Sequence, residues 1–301
     1  MIKHYLPLTT YPSPASLTHQ HLFSCLNTLI PIDASSVRIL DAGCGNGKLI
    51  SFIYQAIKFT RPEIIIDIHG FDVINHGVQL EKQFIEKTIF ELTNDIPTVD
   101  WSERIKSLKI GDKWDFLDNY FDMVISNQVL EHVHNKPFFF KESYRVLRDN
   151  GYAIHLAPLC HYIYEGHLLL PFVHRICSHD LLRGYISFCS LLGLGKFREH
   201  NKLTRISRSE FSERHADYIY FLTKYASEKE TLDMARNNGF RASFKFSVDF
   251  YLLKLRKTFC FPYKSSYKLY RSAIFDSIAI KFLRYISSNT LVCEKRNIYK
   301  N

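Results

Sequence analysis

The stretch VRILDAGCGNGK at residues 37–48 predicts a strand, a tight loop and the start of a helix. Its first four residues are mostly branched and apolar, as in a strand that is buried on both faces. Residues 48–57 place apolar side chains at helical intervals. Gly43, Gly45 and Gly47 therefore join the strand to the helix, where the backbone needs unusual dihedral angles and a ligand can approach it closely.

Spacing separates the nucleotide-binding motifs to which such a loop can belong. A P-loop requires Gly-x4-Gly-Lys-Ser/Thr, but Ala42 stands five positions before Gly47, and Leu49 follows Lys48. The dinucleotide fingerprint would place its third glycine on Lys48, which is too large for close helix-to-strand packing. The remaining pattern, Asp-x-Gly-x-Gly-x-Gly from Asp41, resembles the first motif of class I S-adenosylmethionine (SAM)-dependent methyltransferases. A plain tight turn is the alternative.

This resemblance implies a first set of cofactor-binding residues. In the family, the loop wraps the amino-acid end of SAM, and the acidic residue at the strand end lies close to it. The residues that match in this sequence are Asp41, Gly43, Cys44, Gly45 and Gly47.

A second predicted strand, residues 63–72, ends in Asp72 and is followed by Val73. One helix fits between the glycine loop and this strand, so both strand ends reach the same edge of a parallel sheet. A carboxylate there can accept hydrogen bonds from both ribose hydroxyls, which is the role of this position in the family. We therefore assign Asp72 and Val73 to the cofactor site.

The next predicted strand, residues 104–112, closes with Gly111-Asp112 and resembles the family's third motif. There the carboxylate takes the adenine amino group, and the next backbone N–H, here that of Lys113, meets the ring. Asp112 and Lys113 are thus expected to bind the cofactor. Capping of a turn by Asp112 is the alternative.

Residues 120–133, YFDMVISNQVLEHV, carry the second strong signature. The pattern resembles the small-molecule, methyltransferase type 11/12-like branch of the family, and it implies that Asn127 faces the cofactor. A helix is expected at residues 137–147 and a fifth strand at 152–158. Between them Asn150 stands where the family has a glycine, and asparagine tolerates the left-handed conformation.

Together these strand ends predict an α/β fold: a doubly wound, mostly parallel, seven-stranded Rossmann-like methyltransferase sheet with helical insertions. We divide the chain into three parts. Residues 1–158 hold an N-terminal helix and the SAM-binding core, and residues 159–226 form a substrate-side cap. Residues 227–301 complete the core and include a basic, aromatic insertion at about 248–288.

Three histidines are candidates for catalysis. A hydroxyl acceptor must lose its proton, and a neutral histidine suits that task near pH 7. His132 comes first because its loop begins at the cofactor edge, and His161 and His167 follow. For His132, a helix-start histidine bonded to backbone is the alternative. No Cys-x-x-Cys pair occurs, and the spacings of His161, His167, His174 and His179 give no compact ligand pair, so no metal site is predicted.

The net charge of +9 is concentrated at the end of the chain. From Tyr251 onward, eleven basic residues stand against two acidic ones. A solvated basic face, an anionic substrate and an anionic membrane surface all fit this distribution.

The resemblance predicts an enzyme that methylates a small molecule or a glycan or lipid-linked precursor, with O-methylation favoured. The alternatives are an RNA methyltransferase and a SAM-binding protein without catalysis. Nucleic acid is disfavoured because no RNA module is recognisable. The N-terminal residues lack a continuous apolar segment, so we expect no secretory signal and a cytoplasmic location, with peripheral membrane association as an option.

Overall fold

The computed structural model describes residues 12, 14, 16–73, 83–262, 264–269 and 272–296. Within these residues the strands are β1 (Ser36–Ala42), β2 (Ile65–Val73), β3 (Ile105–Leu108), β4 (Phe121–Asn127), β5 (Leu147–Ala157), β6 (Tyr164–Glu165), β7 (Leu170–Pro171), β8 (Phe240–Ser243) and β9 (Asn289–Lys295). The helices are α1 (Leu17–Leu29), α2 (Lys48–Thr60), α3 (Phe84–Asp95), α4 (Lys136–Val146), α5 (His179–Leu191), α6 (Phe197–Thr204), α7 (Arg208–Leu222), α8 (Glu228–Asn237), α9 (Ser247–Thr258) and α10 (Ala273–Leu283).

A seven-stranded sheet with the order β3-β2-β1-β4-β5-β9-β8 forms the centre of the molecule. The first five of these strands pair in parallel, and β9 runs antiparallel to both β5 and β8. The predicted doubly wound, mostly parallel sheet is therefore confirmed. Strand order reverses between β1 and β4, and ligands of such sheets bind at this reversal, beyond the carboxyl ends of the strands.

Helices cover both faces of the sheet because successive residues of the central strands point to opposite sides. Ile39 of β1 belongs to the apolar cluster with α1, α2 and α9, which includes Phe23 and Phe250. Leu40 belongs to the apolar cluster on the opposite face of the sheet, which includes Phe140 of α4. Both β1 residues are fully buried. This explains the unbroken apolar run that predicted the strand.

Three predicted boundaries need correction or fall partly outside the described residues. β3 ends at Leu108, and residues 109–112 form a turn in place of the predicted continuation of the strand. β5 begins at Leu147, five residues earlier than predicted, and passes through Asn150 at φ +62°. The apolar residues of the stretch 75–92 stand at helical intervals and predict a helix there; positions 75–82 lie outside the described residues, and α3 begins at Phe84.

Residues 159–226 pack largely around an apolar cluster of their own. In α5, Leu182 and Ile186 are buried in this cluster, whereas Leu181 and Phe188 on the other side are exposed. The short apolar stretch 181–194 predicts a buried or interfacial helix, and α5 is buried on one side only. In the parts of the chain that the structure describes, no helix combines the length and the apolar character that crossing a membrane requires.

Candidate active site

The glycine loop is tied to the end of β2 by backbone hydrogen bonds. All three of its glycines have positive φ, from +52° to +84°. The N–H groups of Gly43 and Cys44 donate to the Phe71 carbonyl, each at 2.9 Å. The Gly45 N–H donates to Oδ2 of Asp72 at 2.7 Å. Two of the predicted cofactor elements, the loop and the β2 acid, are therefore in direct contact.

Asp72 bridges the loop and its own strand end. While Oδ2 accepts from Gly45, Oδ1 accepts from the Val73 N–H at 2.7 Å. A Cβ placed on Gly45 would meet no described atom within 4 Å, so the space beside the loop is open at this point. The carboxylate and the loop backbone thus border room for a ligand.

Asp41, near the end of β1, has a buried carboxyl group that makes no hydrogen bond to the described residues. Its side chain is 1% exposed, and neither carboxylate oxygen has a hydrogen-bond partner among the described residues. Burial, and then the charge of Asp72, raises the pKa of Asp41 to about 8. A cationic amino group nearby would favour its ionised form. This orphaned carboxyl fits the ammonium group of a bound amino acid, as at the amino-acid end of SAM.

The end of β4 packs on the same loop. Val129 lies so close to Gly43 that a Cβ on the glycine would come within 2.6 Å of its Cγ2. Oδ1 of Asn127, two residues earlier, is buried and has no partner among the residues that the structure describes. Asn127 therefore offers a second unused polar atom at the carboxyl edge of the sheet.

Gly43→Ala and Gly45→Ala should affect different properties. Both positions have positive φ, which costs an alanine about 1–2 kcal/mol. Only the Gly43 variant adds a clash, with Val129, so it should lose more free energy of unfolding in urea. The methyl group of the Gly45 variant would occupy the open space beside the loop. This variant should therefore bind SAM more weakly than wild type, even where the protein is fully folded. Equal SAM affinity for Gly45→Ala and wild type in calorimetry would contradict the loop's role in binding.

Asp112 and Lys113 are exposed and lie beyond the end of β3. Oδ2 of Asp112 accepts from the Lys109 N–H at 3.3 Å, and the Asp112 N–H donates to the Lys109 carbonyl at 3.2 Å. This is the turn-capping geometry named above as the alternative. Contact of Asp112 and Lys113 with adenine stays a prediction.

His132 and His167, far apart in sequence, lie together with their ring centroids 5.4 Å apart. Nδ1 of His132 is 2.9 Å from the Leu222 carbonyl, which can only accept, so this nitrogen carries the proton. In the neutral ring, Nε2 is then the acceptor, and the Tyr218 hydroxyl donates to it at 3.3 Å. His132 is thus bonded to backbone, as the alternative interpretation predicted. Its basic Nε2 lies within the group formed by His132, His167 and Tyr218, which we call the histidine cluster.

His167 is oriented by a buried carboxylate that the sequence analysis missed. Its Nδ1 lies 2.5 Å from Oε1 of Glu165, which also accepts the Tyr225 hydroxyl at 3.0 Å. Burial opposes the charged ring, but the hydrogen bond and charge of Glu165 outweigh it and raise the pKa of His167. Nε2 of His167 has no hydrogen-bond partner within the described residues. The Glu-x-His spacing was the available sequence signal.

His161 lies away from this pair. Its ring packs edge-on against Tyr285 at 5.8 Å, and its Nδ1 is 3.4 Å from Sγ of Cys160. Burial, and then the guanidinium groups of Arg284 and Arg175, lower its pKa. The structure therefore brings together two of the three predicted histidines.

Glu131, next to His132, is a further residue that sequence reasoning missed. Its side chain is 2% exposed and both carboxylate oxygens are unpartnered in the described part of the chain. Burial raises its pKa to about 7. It borders a cavity of about 20 Å³ together with Lys136, His155 and Asn289. A space of this size holds roughly one water molecule, which could serve these polar groups.

The Glu165–His167 pair should make stability depend on pH in both directions. Although burial opposes ionisation, the bond with His167 lowers the pKa of Glu165 below its ordinary 4.5, so its stabilisation is lost as pH falls through that lowered pKa. Protonated His167 contributes fully to the stability of the fold below its ordinary pKa of 6.5, and this contribution is lost as pH rises through its raised pKa. The free energy of unfolding of Glu165→Gln, measured in urea across pH, should fall furthest below that of wild type between pH 4.5 and pH 6.5. The exposed carboxyl variant Glu213→Gln should leave the profile unchanged, and a profile of Glu165→Gln parallel to wild type would contradict the pairing.

One group of potential metal ligands occurs among the described residues, formed by His179, Glu213 and Asp217. Asp217 already pairs with His179 at 2.8 Å, and Glu213 pairs with Arg183 at 3.0 Å. These ion pairs account for the cluster on the surface of the 159–226 segment.

Comparison with known proteins gives a family match over most of this architecture. The profile described as "Methyltransferase domain" matches residues 16–219. "Probable polyketide synthase 42" of Dictyostelium discoideum is 25% identical over 169 residues, which cover 52% of this chain and 6% of that protein. "Ubiquinone biosynthesis O-methyltransferase" of Pelagibacter ubique (strain HTCC1062) is 27% identical over 116 residues, covering 38% and 40%. The chain thus spans less than half the length of either relative.

Among solved structures, an S-adenosylmethionine-dependent methyltransferase from Mesorhizobium loti is similar to this chain. Its TM-score is 0.47 at 13% identity, and the alignment covers 88% of this chain and 94% of that one.

Proposed function

This chain belongs to the class I SAM-dependent methyltransferase family, and from this premise we propose that it methylates an oxygen of a small-molecule or glycan or lipid-linked precursor. SAM is the cofactor of the family and, when bound, supplies a methyl group on a positively charged sulfur. Our proposal concerns the class of acceptor, oxygen as the atom that is methylated, and the activity of the whole protein.

The residues around the loop fit this cofactor. The unpartnered carboxyl of Asp41 suits its ammonium group, and the carboxylate of Asp72 suits its ribose hydroxyls. Asn127 adds an unused carbonyl oxygen at the same edge. The open space beside Gly45 lets the loop backbone approach the ligand.

The observation that carries the proposal of O-methylation is the pair formed by His167 and Glu165. Nε2 of His167 can take the proton of an acceptor hydroxyl. Glu165 holds Nδ1–H and stabilises the resulting imidazolium. The bound cofactor would supply the methyl group to that oxygen and leave as a neutral thioether, while His167 would keep the acceptor proton on Nε2. An amine or carbon acceptor has less need of such a base.

The position of His132 supports placing this pair next to the cofactor. His132 comes three residues after Val129, which packs on Gly43 of the loop. The chain between these points forms a short 3₁₀ turn, Leu130–His132, so the separation is small. His167 contacts His132 from the 159–226 segment. That segment, the predicted cap, therefore supplies the proposed base.

The test is to purify the full chain, identify co-purified small molecules by mass spectrometry, and then supply SAM together with acceptors of that class. Parallel reactions contain matched acceptors with a hydroxyl or an amine as the only nucleophile, and unmodified RNA. Formation of S-adenosylhomocysteine with a methyl ether product supports the proposal. An N-methyl or C-methyl product would overturn O-methylation, and methylated RNA would establish the RNA alternative. SAM binding without transfer to any acceptor would favour a binding protein that lacks catalysis.

A further inference from the structure

Helix α10 presents its apolar face to solvent. The side chains on this face, which we call the α10 face, are Ile274, Phe275, Ile278 and Phe282, exposed at 74%, 53%, 54% and 70%. On the inward side, Ile280 and Leu283 are buried and Asp276 is half-buried. A helix on a globular surface normally turns its charged residues outward. The outward side of α10 is instead dominated by large apolar side chains, which is typical of a surface that binds another molecule or a membrane.

The apolar surface continues from the end of α10 into the 159–226 segment. The carbonyl of Tyr285 accepts from the Ile163 N–H at 2.9 Å, and the carbonyl of Ile163 accepts from the Phe172 N–H at 2.8 Å. Next to these joined backbones, Ile286, Tyr164 and Phe172 are exposed at 50%, 55% and 45%. Both insertions therefore contribute exposed apolar side chains to one connected region.

Cations accompany these apolar side chains. Lys281 lies on the exposed side of α10, between Ile278 and Phe282. Arg175 lies over the Phe172 ring, 5.1 Å from its centroid. The described residues 251–296 carry nine basic side chains against two acidic ones. Lys281 and Arg175, which lie beside these apolar groups, therefore favour an occupant that offers apolar volume and negative charge together.

An anionic lipid surface meets both requirements. Isoleucine and phenylalanine side chains can enter the acyl boundary, while lysine and arginine remain at the level of the headgroups. A second copy of this chain fits less well, because each copy carries a net charge of +9 and the two basic regions would repel. We infer that the α10 face, with its neighbouring cations, docks the protein onto anionic membranes as a peripheral protein. This inference does not depend on the identity of the acceptor.

Vesicle co-sedimentation of the full chain tests the inference. Vesicles of phosphatidylcholine alone are compared with vesicles in which half of the lipid is phosphatidylglycerol, at low and high salt. We expect binding to the anionic vesicles that weakens with salt. Replacing Ile274, Ile278 and Phe282 together by serine should lower the partition coefficient at least about tenfold, since it removes three apolar groups from the interface. Lys281→Gln should lower it about fivefold.

A matched control uses the same residue types on another part of the surface. Ile32, Ile65 and Phe90 are exposed at 97%, 68% and 66%, and none lies in either insertion. Their triple serine variant should bind vesicles as wild type does, and calorimetric SAM binding should be intact in both triple variants. Equal loss in both variants, equal binding to both vesicle types, or no vesicle binding at all would overturn the inference. Salt-sensitive RNA binding or a dimer dispersed by the α10 substitutions, each without vesicle binding, would also overturn it in favour of that partner.

Discussion

The variant His167→Asn should lose about 10²- to 10⁴-fold in kcat while its affinity for SAM stays that of wild type. The reason is that Nε2 of His167 is the nitrogen left for the acceptor proton, because Nδ1 is held by Glu165 at 2.5 Å. Asparagine can keep a hydrogen bond to Glu165 but cannot take up a proton. The measurement is the kcat and KM for the acceptor, together with calorimetric titration of SAM.

His161→Asn is the matched control, because His161 packs against Tyr285 outside the cluster. It should leave kcat within about twofold of wild type, well inside the loss expected of a catalytic base. An equal loss in the two variants would contradict the assignment of the base to His167.

The pH profile adds a readout that a merely structural role would not change. Since the pKa of His167 is raised, the acidic limb of kcat should lie above the ordinary histidine pKa of 6.5. In Glu165→Gln this limb should move to lower pH, because the neutral amide no longer stabilises the imidazolium. A limb that stays in place would show that His167 does not titrate in catalysis.

Local sequence was sufficient to predict the sheet and the loop. The apolar run before Asp41 and the helical spacing after Gly47 each depend on a few adjacent residues, and β1 and α2 formed where they predicted. β5 began earlier than predicted because Asn150, taken as a turn residue, adopts its left-handed φ inside a strand that has already begun at Leu147. A turn signal alone does not say whether pairing continues through it.

The histidine cluster could not be assembled from sequence in the same way. His132 was predicted from its position after Asn127, which is a local argument. Its contact with His167 depends on how residues 159–226 fold around their own apolar core, and no spacing along the chain records that packing. Glu165 left a local signal in its Glu-x-His spacing, but its bond to Tyr225 links residues 60 positions apart and has no such signal.

The strand-end acids show where a motif predicts position better than orientation. Asp41 and Asp72 both lie at the loop, because β1 and β2 pair in parallel and their carboxyl ends lie side by side at one edge of the sheet. Asp112 follows β3 by four residues, and its side chain caps a turn. An edge strand pairs on one side only, so its end is less constrained by neighbours than the ends of β1 and β2.

Asp72→Ala should weaken SAM binding by about 1.5–3 kcal/mol, which is roughly a 10- to 150-fold higher Kd. Two losses combine in this variant. The ribose hydroxyls lose a charged acceptor, and the Gly45 and Val73 N–H groups lose the partner that holds the loop, at 2.7 Å each.

Calorimetry with S-adenosylhomocysteine should give the same loss as with SAM, because both ligands carry the ribose. Asp115→Ala is the control, since Asp115 is exposed and pairs with Lys106, and its affinity for SAM should equal that of wild type. Asp72→Asn separates the two losses in the first variant. Its amide oxygen can still accept from one of the two N–H groups, but its amide nitrogen cannot accept from the other, so its stability should lie between those of wild type and Asp72→Ala while SAM affinity stays reduced. Wild-type affinity in a folded Asp72→Ala protein would show that this carboxylate does not bind the ribose.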